Sequence, residues 1–180
     1  MKKLILFILF LVLSITVLHS AKSFRVMSRG LVKDNSTDLL WTRCPLSGND
    51  IPIFDFQCSG EKKLYTWSAA VEACNNLVYE GRSDWRLPNI NELQSIAYYH
   101  HYVSGSSNIS QVVVTAFPNA VTVEDAEKFW FCLLGDSCYT HYWSSSIKDE
   151  NISLVLDFNT GGISFGKVIH YKAVRCVAGP

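Results

Sequence analysis

Six cysteines are the residues of this 180-residue chain whose chemistry is easiest to assign. They are Cys44, Cys58, Cys74, Cys132, Cys138 and Cys176. All six follow an N-terminal segment that is typical of export, and thiols that leave the cytosol meet an oxidising environment. We therefore expect disulfides, although spacing alone does not choose among the many pairings. A zinc site is the competing interpretation, but the chain has no Cys-x-x-Cys and its histidines show no ligand spacing.

Aromatic and histidine side chains cluster in the second half of the chain and are candidates for ligand binding. Large rigid rings lose little conformational entropy when they bind a protein or a sugar. The predicted contacts are Tyr98, His101, Trp130, Tyr139 and His141. The alternative is that these rings only close the core beneath a long loop.

No residue pattern is typical of an enzyme. Paired cysteines leave no thiolate nucleophile, and the chain has neither a Gly-x-Ser-x-Gly elbow nor a Gly-rich phosphate loop. Glu124, Asp125 and Glu127 lie close together, but on a predicted exposed helix they form a solvated face. We expect no catalytic residue, no bound metal and no cofactor.

The N-terminus predicts export. A basic start is followed by the apolar run Leu4–Leu18 and then by small residues, which is the pattern of a secretory signal. The run is shorter than the roughly 20 residues of a membrane span, although an uncleaved anchor is the alternative. We predict a signal peptide over 1–21 and a single domain over 22–180 that is secreted, on the cell surface or periplasmic.

Charge excludes a nucleic-acid surface. The chain has 16 Lys+Arg and 16 Asp+Glu, and its basic residues are scattered. In the predicted domain only Lys62 and Lys63 are adjacent. The near-neutral charge also weakens a sulfated-glycan ligand, which would need a basic patch.

The hydrophobic periodicity predicts an α+β domain: two helices pack on small antiparallel sheets beside a long irregular region. Thr66 and Asn89 are predicted helix caps, and Glu92 completes a capping box with Asn89. The first helix would bury Cys74, and chain ends that share one sheet would let Cys176 reach it. The remaining predicted elements are a hairpin over Val32–Trp41, irregular structure over 100–141 with a short helix Glu124–Leu134, a hairpin over Leu154–Phe165 and a last strand Val174–Val177.

Several segments, taken in order, resemble the Lcl C-terminal domain family, a bacterial exported module named after a collagen-like adhesin. The resemblance covers about residues 28–178, and two segments are the most diagnostic: Trp85-Arg86-Leu87-Pro88-Asn89 and Tyr142-Trp143-Ser144-Ser145-Ser146. It implies a C-type-lectin-like fold with disulfides Cys44–Cys58 and Cys74–Cys176. The two remaining cysteines, Cys132 and Cys138, would then form a third disulfide by elimination. The resemblance also implies a surface or secreted adhesin for host matrix protein or sulfated glycans such as glycosaminoglycans.

We interpret the diagnostic residues as scaffold rather than as a site. Trp85 and Trp143 are apolar anchors, while Arg86 and Ser144–Ser146 could satisfy buried loop backbone. Pro88 and Asn89 would begin a helix together with Glu92. Calcium-dependent sugar binding is not expected, because Phe117 and Ser144 stand near positions where C-type lectins have oxygen ligands, and calcium needs several charged oxygens.

Two positions depart from the family pattern. Asp38 stands where relatives usually have glycine, so we expect a turn that is accommodated differently. Ala120–His141 is longer than the link in relatives and carries its own cysteines.

Taken together, the sequence predicts an exported non-catalytic binding module that recognises extracellular protein or glycan through residues 98–142, with a possible homo-oligomer. The alternatives are an envelope assembly domain without a host ligand, and a degenerate relative of the formylglycine-generating enzymes, which the Arg-Leu-Pro segment also resembles.

Overall fold

A computed structural model describes residues 24–28, 30–54, 57–97, 116–118, 137–158 and 160–180. Within these residues the chain forms an α+β fold of two helices and two four-stranded sheets. The elements are β1 Phe24–Val26, β2 Leu31–Asp34, β3 Leu40–Thr42, α1 Trp67–Asn75, α2 Ile90–Ser95, β4 Ser137–Asp149, β5 Ile152–Asp157, β6 Ile163–Lys167, β7 Tyr171–Ala173 and β8 Val177–Ala178. No helix in the described part of the chain is long and apolar enough to cross a membrane.

The first sheet joins the two ends of the domain. Its order is β1-β2-β3-β8, and all of its neighbours are antiparallel. Val32 lies opposite Trp41 in the predicted hairpin, and Trp41 lies opposite Val177 of the last strand. The hairpin and the meeting of the ends in one sheet are therefore confirmed.

The turn of this hairpin places Asp38 in the left-handed backbone region. Asp38 has φ 59°, which aspartate tolerates better than most residues. Its carboxylate accepts a hydrogen bond from Lys33, with Nζ 2.7 Å from Oδ1. Glycine adopts this conformation without a Cβ penalty, so aspartate here depends on its own tolerance and on the contact with Lys33.

The second sheet has the order β6-β5-β4-β7. The predicted hairpin is confirmed: β5 and β6 are antiparallel, and Gly161 has φ 74° in the connection. The expectation that residues 100–141 are irregular was wrong over 137–141, which begin β4. That part of β4 pairs in parallel with β7, so the prediction of antiparallel sheets was wrong for this edge of the second sheet. The pairing of segments so far apart in sequence leaves no local signal.

The predicted last strand Val174–Val177 was also wrong in its bounds, because β8 begins only at Val177. The residues before β8 bond both to the last residue of β3 and to the loop after it: the amide of Thr42 donates to the carbonyl of Cys176 at 3.0 Å. The amide of Leu46 donates to Val174, and the buried guanidinium of Arg175 donates to the carbonyl oxygens of Thr42, at 2.7 Å, and Arg43. Arg175 therefore links the segment before β8 to the end of β3 and to the loop after it.

Both helices begin where the sequence predicts. The hydroxyl of Thr66 accepts from the amide of Ala69 at 3.4 Å, and α1 buries Cys74. At α2, Asn89 and Glu92 form both bonds of a capping box. The predicted helix Glu124–Leu134 lies outside the described residues.

Two disulfides fasten these elements. Cys74–Cys176 joins α1 to the segment before β8, and Cys44–Cys58 closes the loop after β3. Both predicted pairs are confirmed. The pair Cys132–Cys138 stays a prediction, because Cys132 lies outside the described residues.

Candidate functional site

The diagnostic segments meet inside the molecule, where the start of α2 packs against β4. We call this region the motif hub; its residues are Trp85, Arg86, Pro88, Asn89, Glu92, Trp143 and Ser144. The serines after Trp143 provide its cross-links. The amide of Ser145 donates to the carbonyl of Pro88 at 2.7 Å, and the amide of Ile90 donates to the hydroxyl of Ser146 at 3.0 Å. Within the hub, the start of α2 is therefore joined to β4 by one backbone–backbone hydrogen bond and by one bond in which a serine side chain accepts from a backbone amide.

Arg86 and Glu92 form a two-pronged ion pair in the hub. Nη1 and Nη2 of Arg86 lie 2.8 and 2.7 Å from the carboxylate oxygens of Glu92, which also accepts from the amide of Asn89. Burial raises the pKa of Glu92, but the hydrogen bonds from Arg86 and Asn89 outweigh it and hold the pKa below its usual value. The idea that Arg86 satisfies loop backbone was wrong, because its guanidinium is occupied by this carboxylate.

Both tryptophans of the hub are buried and bonded. Trp85 is 2% exposed, and its indole N–H donates to the carbonyl of Tyr79 at 3.3 Å. Trp143 is 0% exposed and donates to the carbonyl of Tyr65 at 2.6 Å. Neither ring is available to a ligand in the described structure.

Phe117 and Ser144, whose residue types argue against a calcium site in the sequence, are both packed in the described structure. Phe117 is buried and makes an edge-to-face contact with Trp41 at 6.3 Å. Ser144 is buried and donates its hydroxyl to the carbonyl of Leu154 at 2.7 Å. Neither side chain supplies the charged oxygen that calcium needs.

The predicted ligand contacts are only partly described. Tyr98, His101 and Trp130 lie outside the described residues. Tyr139 and His141 lie on β4, and both are partly buried. His141 stands opposite Asp157 on β5. Burial lowers the pKa of His141 and the charge of Lys172 lowers it further, whereas Asp157 opposes both effects.

Lys172 is a buried cation near the hub. Its ammonium lies 5.4 Å from the centre of the Trp143 ring, and burial lowers its pKa to about 8. Gly166 makes room for it: a Cβ there would stand 2.7 Å from Cε of Lys172 and 2.8 Å from Trp143. This part of the second sheet is packed, not open.

The accessible concave surface lies elsewhere, between the loop closed by Cys44–Cys58 and helix α1. Two adjoining clefts of about 520 and 630 Å³ share Lys63, Leu64 and Tyr171. We call the two together the loop groove. Tyr139 lines the smaller cleft, so one predicted contact belongs to the groove. His141 does not line either cleft.

The loop wall of the groove is held by polar contacts. Asp50 accepts from Lys63 at 2.6 Å and from the hydroxyl of Tyr65 at 2.7 Å, and it has φ 57°. These two hydrogen bonds lower the pKa of Asp50. Burial, and then the bond to Asp50, raise the pKa of Tyr65, so its hydroxyl stays protonated as a donor. The loop is thus fixed at both its disulfide and its tip.

Lys62 and Leu64 line the smaller cleft, and Leu64 also lines the larger one. The ammonium of Lys62 donates to the carbonyl of Tyr139 at 3.2 Å, although its side chain is nearly buried. This bond connects the segment before α1 to the start of β4. It places Tyr139 beside the groove that the disulfide loop forms.

Exposed apolar side chains edge the larger cleft. Ile51 is 45% exposed, Tyr171 48% and Val78 74%. None of these three residues was predicted from the sequence as a ligand contact, and neither was Asp50. The available signal was the loop closed by Cys44 and Cys58, because a pinned loop presents its side chains in fixed positions.

The described structure is thus a disulfide-linked α+β domain with a packed interior hub and an open surface groove. The family model of the Lcl C-terminal domain matches residues 30–178, and the chain belongs to that family. The comparison with curated proteins gives no match.

Proposed function

We propose that this protein is an exported, non-catalytic binding domain that recognises an extracellular matrix protein or a glycan. The loop groove is the observation that carries the proposal: it is concave, partly apolar and walled by a disulfide-pinned loop. Its neighbour Tyr139 belongs to the region 98–142, where the sequence predicts ligand contacts. The proposed binding surface is the groove together with that region.

Export is supported by the disulfides and by the family. Two disulfides are formed, and disulfides persist in oxidising compartments. The Lcl C-terminal domain family suggests an extracellular domain. The proposed product is secreted, displayed on the cell surface or periplasmic, with the segment 1–21 acting as its signal peptide. We further propose that the fold is C-type-lectin-like, since the ends share one sheet and Cys74–Cys176 ties α1 to the chain end.

The absence of catalysis is part of the proposal and has a direct test. A degenerate formylglycine-generating enzyme would keep a pair of free thiols near the C-terminus, but Cys176 is bonded to Cys74. We expect the native protein, unfolded in denaturant without reductant, to show no titratable thiol. Two titratable thiols would revive the enzyme interpretation.

An assembly role is the second candidate, and the edge of the second sheet favours it. Strand β6 stands at the end of the strand order, so one row of its backbone groups is unpaired within the sheet. Phe165 on that strand is 62% exposed, Ile163 is 43% exposed and the nearby Ile147 is 59% exposed. Such an edge can pair with a second copy. Light scattering after size exclusion would detect this role, because Phe165→Lys should dissociate an assembly built on β6.

Binding is tested with the oxidised protein on immobilised matrix proteins and glycosaminoglycans, with reduced and alkylated protein as the control. We expect saturable binding that is lost on reduction and unchanged by chelator. Deleting residues 121–140 tests the loop region separately: reduced binding supports its part in the site, and unchanged binding removes it. No saturable binding to any ligand would favour the assembly role.

A further inference from the structure

The larger cleft of the loop groove is lined by polar groups from two separate elements, the disulfide loop and α1. Its loop side presents Asn49, Asp50 and Ile51, and its helix side presents Glu72 and Asn76. The ring of Tyr171 lies between them at one end and is about half exposed. Acceptors, amides and an open ring therefore face one concavity.

The charge of this cleft disfavours an anionic ligand. Asp50 and Glu72 are its carboxylates, and Lys63 is its ammonium. Lys63 is already held by Asp50 at 2.6 Å, so its charge is largely compensated. The adjoining cleft adds Glu61 and Lys62, which cancel in formal charge. A sulfate or carboxylate entering the groove would meet an excess of negative charge and would be repelled.

The same groups suit a ligand rich in hydroxyls. A hydroxyl both donates and accepts, so it can bond a carboxylate as a donor and an amide N–H as an acceptor. The side-chain amides of Asn49 and Asn76 offer both functions. Hexose rings also have an apolar face of C–H groups, and an exposed tyrosine ring can cover such a face.

We infer that the larger cleft binds a neutral oligosaccharide, with Tyr171 stacking on one sugar ring and the carboxylates of Asp50 and Glu72 accepting from its hydroxyls. This inference rests on the proposed binding function and specifies its ligand class. It moves the specificity from the region 98–142 to the walls of the groove. It also departs from the sulfated ligands that the family resemblance implies.

The loop wall of the groove is already ordered before a ligand binds. Cys44–Cys58 closes the loop, and the bonds from Asp50 to Lys63 and Tyr65 fix its tip. A wall that is already ordered loses little conformational entropy when the ligand arrives. Binding therefore depends on the oxidised loop.

The first test measures binding of the oxidised full chain to an array of neutral, sulfated and carboxylated oligosaccharides at one ionic strength. We expect neutral glycans to bind, and the affinity to be insensitive to salt and to chelator. Preference for sulfated glycans, with binding that weakens as salt rises, would overturn the inference. Absence of any neutral-glycan binding would overturn it as well.

Variants then locate the ligand. Tyr171→Ala should weaken neutral-glycan binding by about tenfold or more, as loss of a central aromatic contact does. Tyr171→Phe keeps the ring and should bind nearly as well as the wild type. Phe165→Ala is the matched control, because that ring is also exposed but lies on β6, outside the groove. Equal affinity of Tyr171→Ala and the wild type would contradict the stacking.

One further substitution should change the affinity in opposite directions for neutral and anionic ligands. Glu72→Gln removes a negative charge but keeps the length of an exposed side chain. A neutral sugar should bind this variant several-fold more weakly, because a charged acceptor makes the stronger hydrogen bond. An anionic ligand in the same cleft should bind it more tightly. If matrix proteins bind and neutral glycans do not, the ligand class is wrong and the binding function stands; if nothing binds, both fail.

Discussion

The motif hub and the loop groove differ in what their side chains do. In the hub, Arg86 pairs with Glu92, and Ser144 to Ser146 bond to backbone groups of neighbouring segments. In the groove, Ile51 and Tyr171 are about half exposed and line open space. The residues of the diagnostic segments are thus engaged in packing and hydrogen bonds within the fold.

This difference explains why the diagnostic segments predict structure rather than a ligand. Residues 85–89 are engaged in packing, in the cap of α2 and in the ion pair with Glu92. The groove depends on a loop that is held by its disulfide, by the contacts of Asp50 and by bonds within the loop, such as that from the amide of Ser47 to the carbonyl of Ile51. The groove residues lie outside the diagnostic segments.

The largest expected effect on stability comes from the two disulfides, which differ in the length of chain that they close. Cys74–Cys176 spans 102 residues and Cys44–Cys58 spans 14. Loop-closure entropy is worth about 4.7 kcal/mol for a loop of roughly 100 residues and about 3 kcal/mol for one of roughly 15. Replacing Cys74 and Cys176 by serine should therefore destabilise the fold more than replacing Cys44 and Cys58, as measured by urea unfolding.

The same pair of variants sharpens the comparison when binding is measured. The Cys44→Ser/Cys58→Ser variant should still unfold cooperatively but should lose affinity for the groove ligand. Full affinity of this variant would contradict the role of the pinned loop in binding. Lower stability than the Cys74→Ser/Cys176→Ser variant would contradict the order expected from loop length.

A glycine in the packed sheet provides the next largest effect. Gly166→Ala would place a methyl group 2.7 Å from Lys172 and 2.8 Å from Trp143, and such overpacking costs about 1–3 kcal/mol. Gly48→Ala is the control, because a methyl group at Gly48, which lines the groove, meets nothing within 4 Å. Thermal unfolding of both variants checks the prediction, and equal melting temperatures would contradict it.

The ion pair of the hub predicts a pH dependence. The pKa of Glu92 lies below its ordinary value of 4.5 in the folded protein, so the unfolded chain binds the proton more tightly. The stabilisation is complete above about pH 4.5 and is lost as pH falls through the folded pKa. Glu92→Gln should lose about 1 kcal/mol at pH 7 and should flatten the acid limb of the stability curve. Unfolding free energies between pH 7 and pH 3 test this; parallel curves would exclude the pair as a source of stability.

The smallest effect is expected at Asp38, in the turn outside both regions. A left-handed backbone costs a residue with a Cβ about 1–2 kcal/mol, and aspartate offsets part of this cost through local hydrogen bonds. Asp38→Ala should therefore lose up to about 1 kcal/mol, while Asp38→Gly should stay within about 0.5 kcal/mol of the wild type. Chemical denaturation measures both, and a reversed order would show that the contact with Lys33 matters more than the backbone.

The elements predicted from sequence are those with local signals. The caps at Thr66 and Asn89 and the hairpin of β5 and β6 each depend on residues a few positions apart. The register of β4 with β7 depends on segments more than thirty residues apart, and it was missed. Arg175 shows the same limit, since its carbonyl partners are Thr42, the last residue of β3, and Arg43 in the loop that follows, more than 130 residues away.

The groove was missed for a related physical reason. Asp50, Tyr171 and α1 come from three parts of the chain, and only the folded domain brings them to one concavity. The sequence analysis instead favoured the aromatic region 98–142, of which Tyr139 is the described residue that lines the groove. A disulfide-closed loop followed by an amphipathic helix was the one local hint.

Hydrogen exchange of the oxidised full chain, with and without saturating ligand, tests the central claim most directly. We expect added protection of backbone amides in residues 47–51, 63–66 and around Tyr171, with the hub unchanged because its residues do not line the groove. Protection confined to other segments, with these three unaffected, would contradict the claim that the ligand binds in the loop groove.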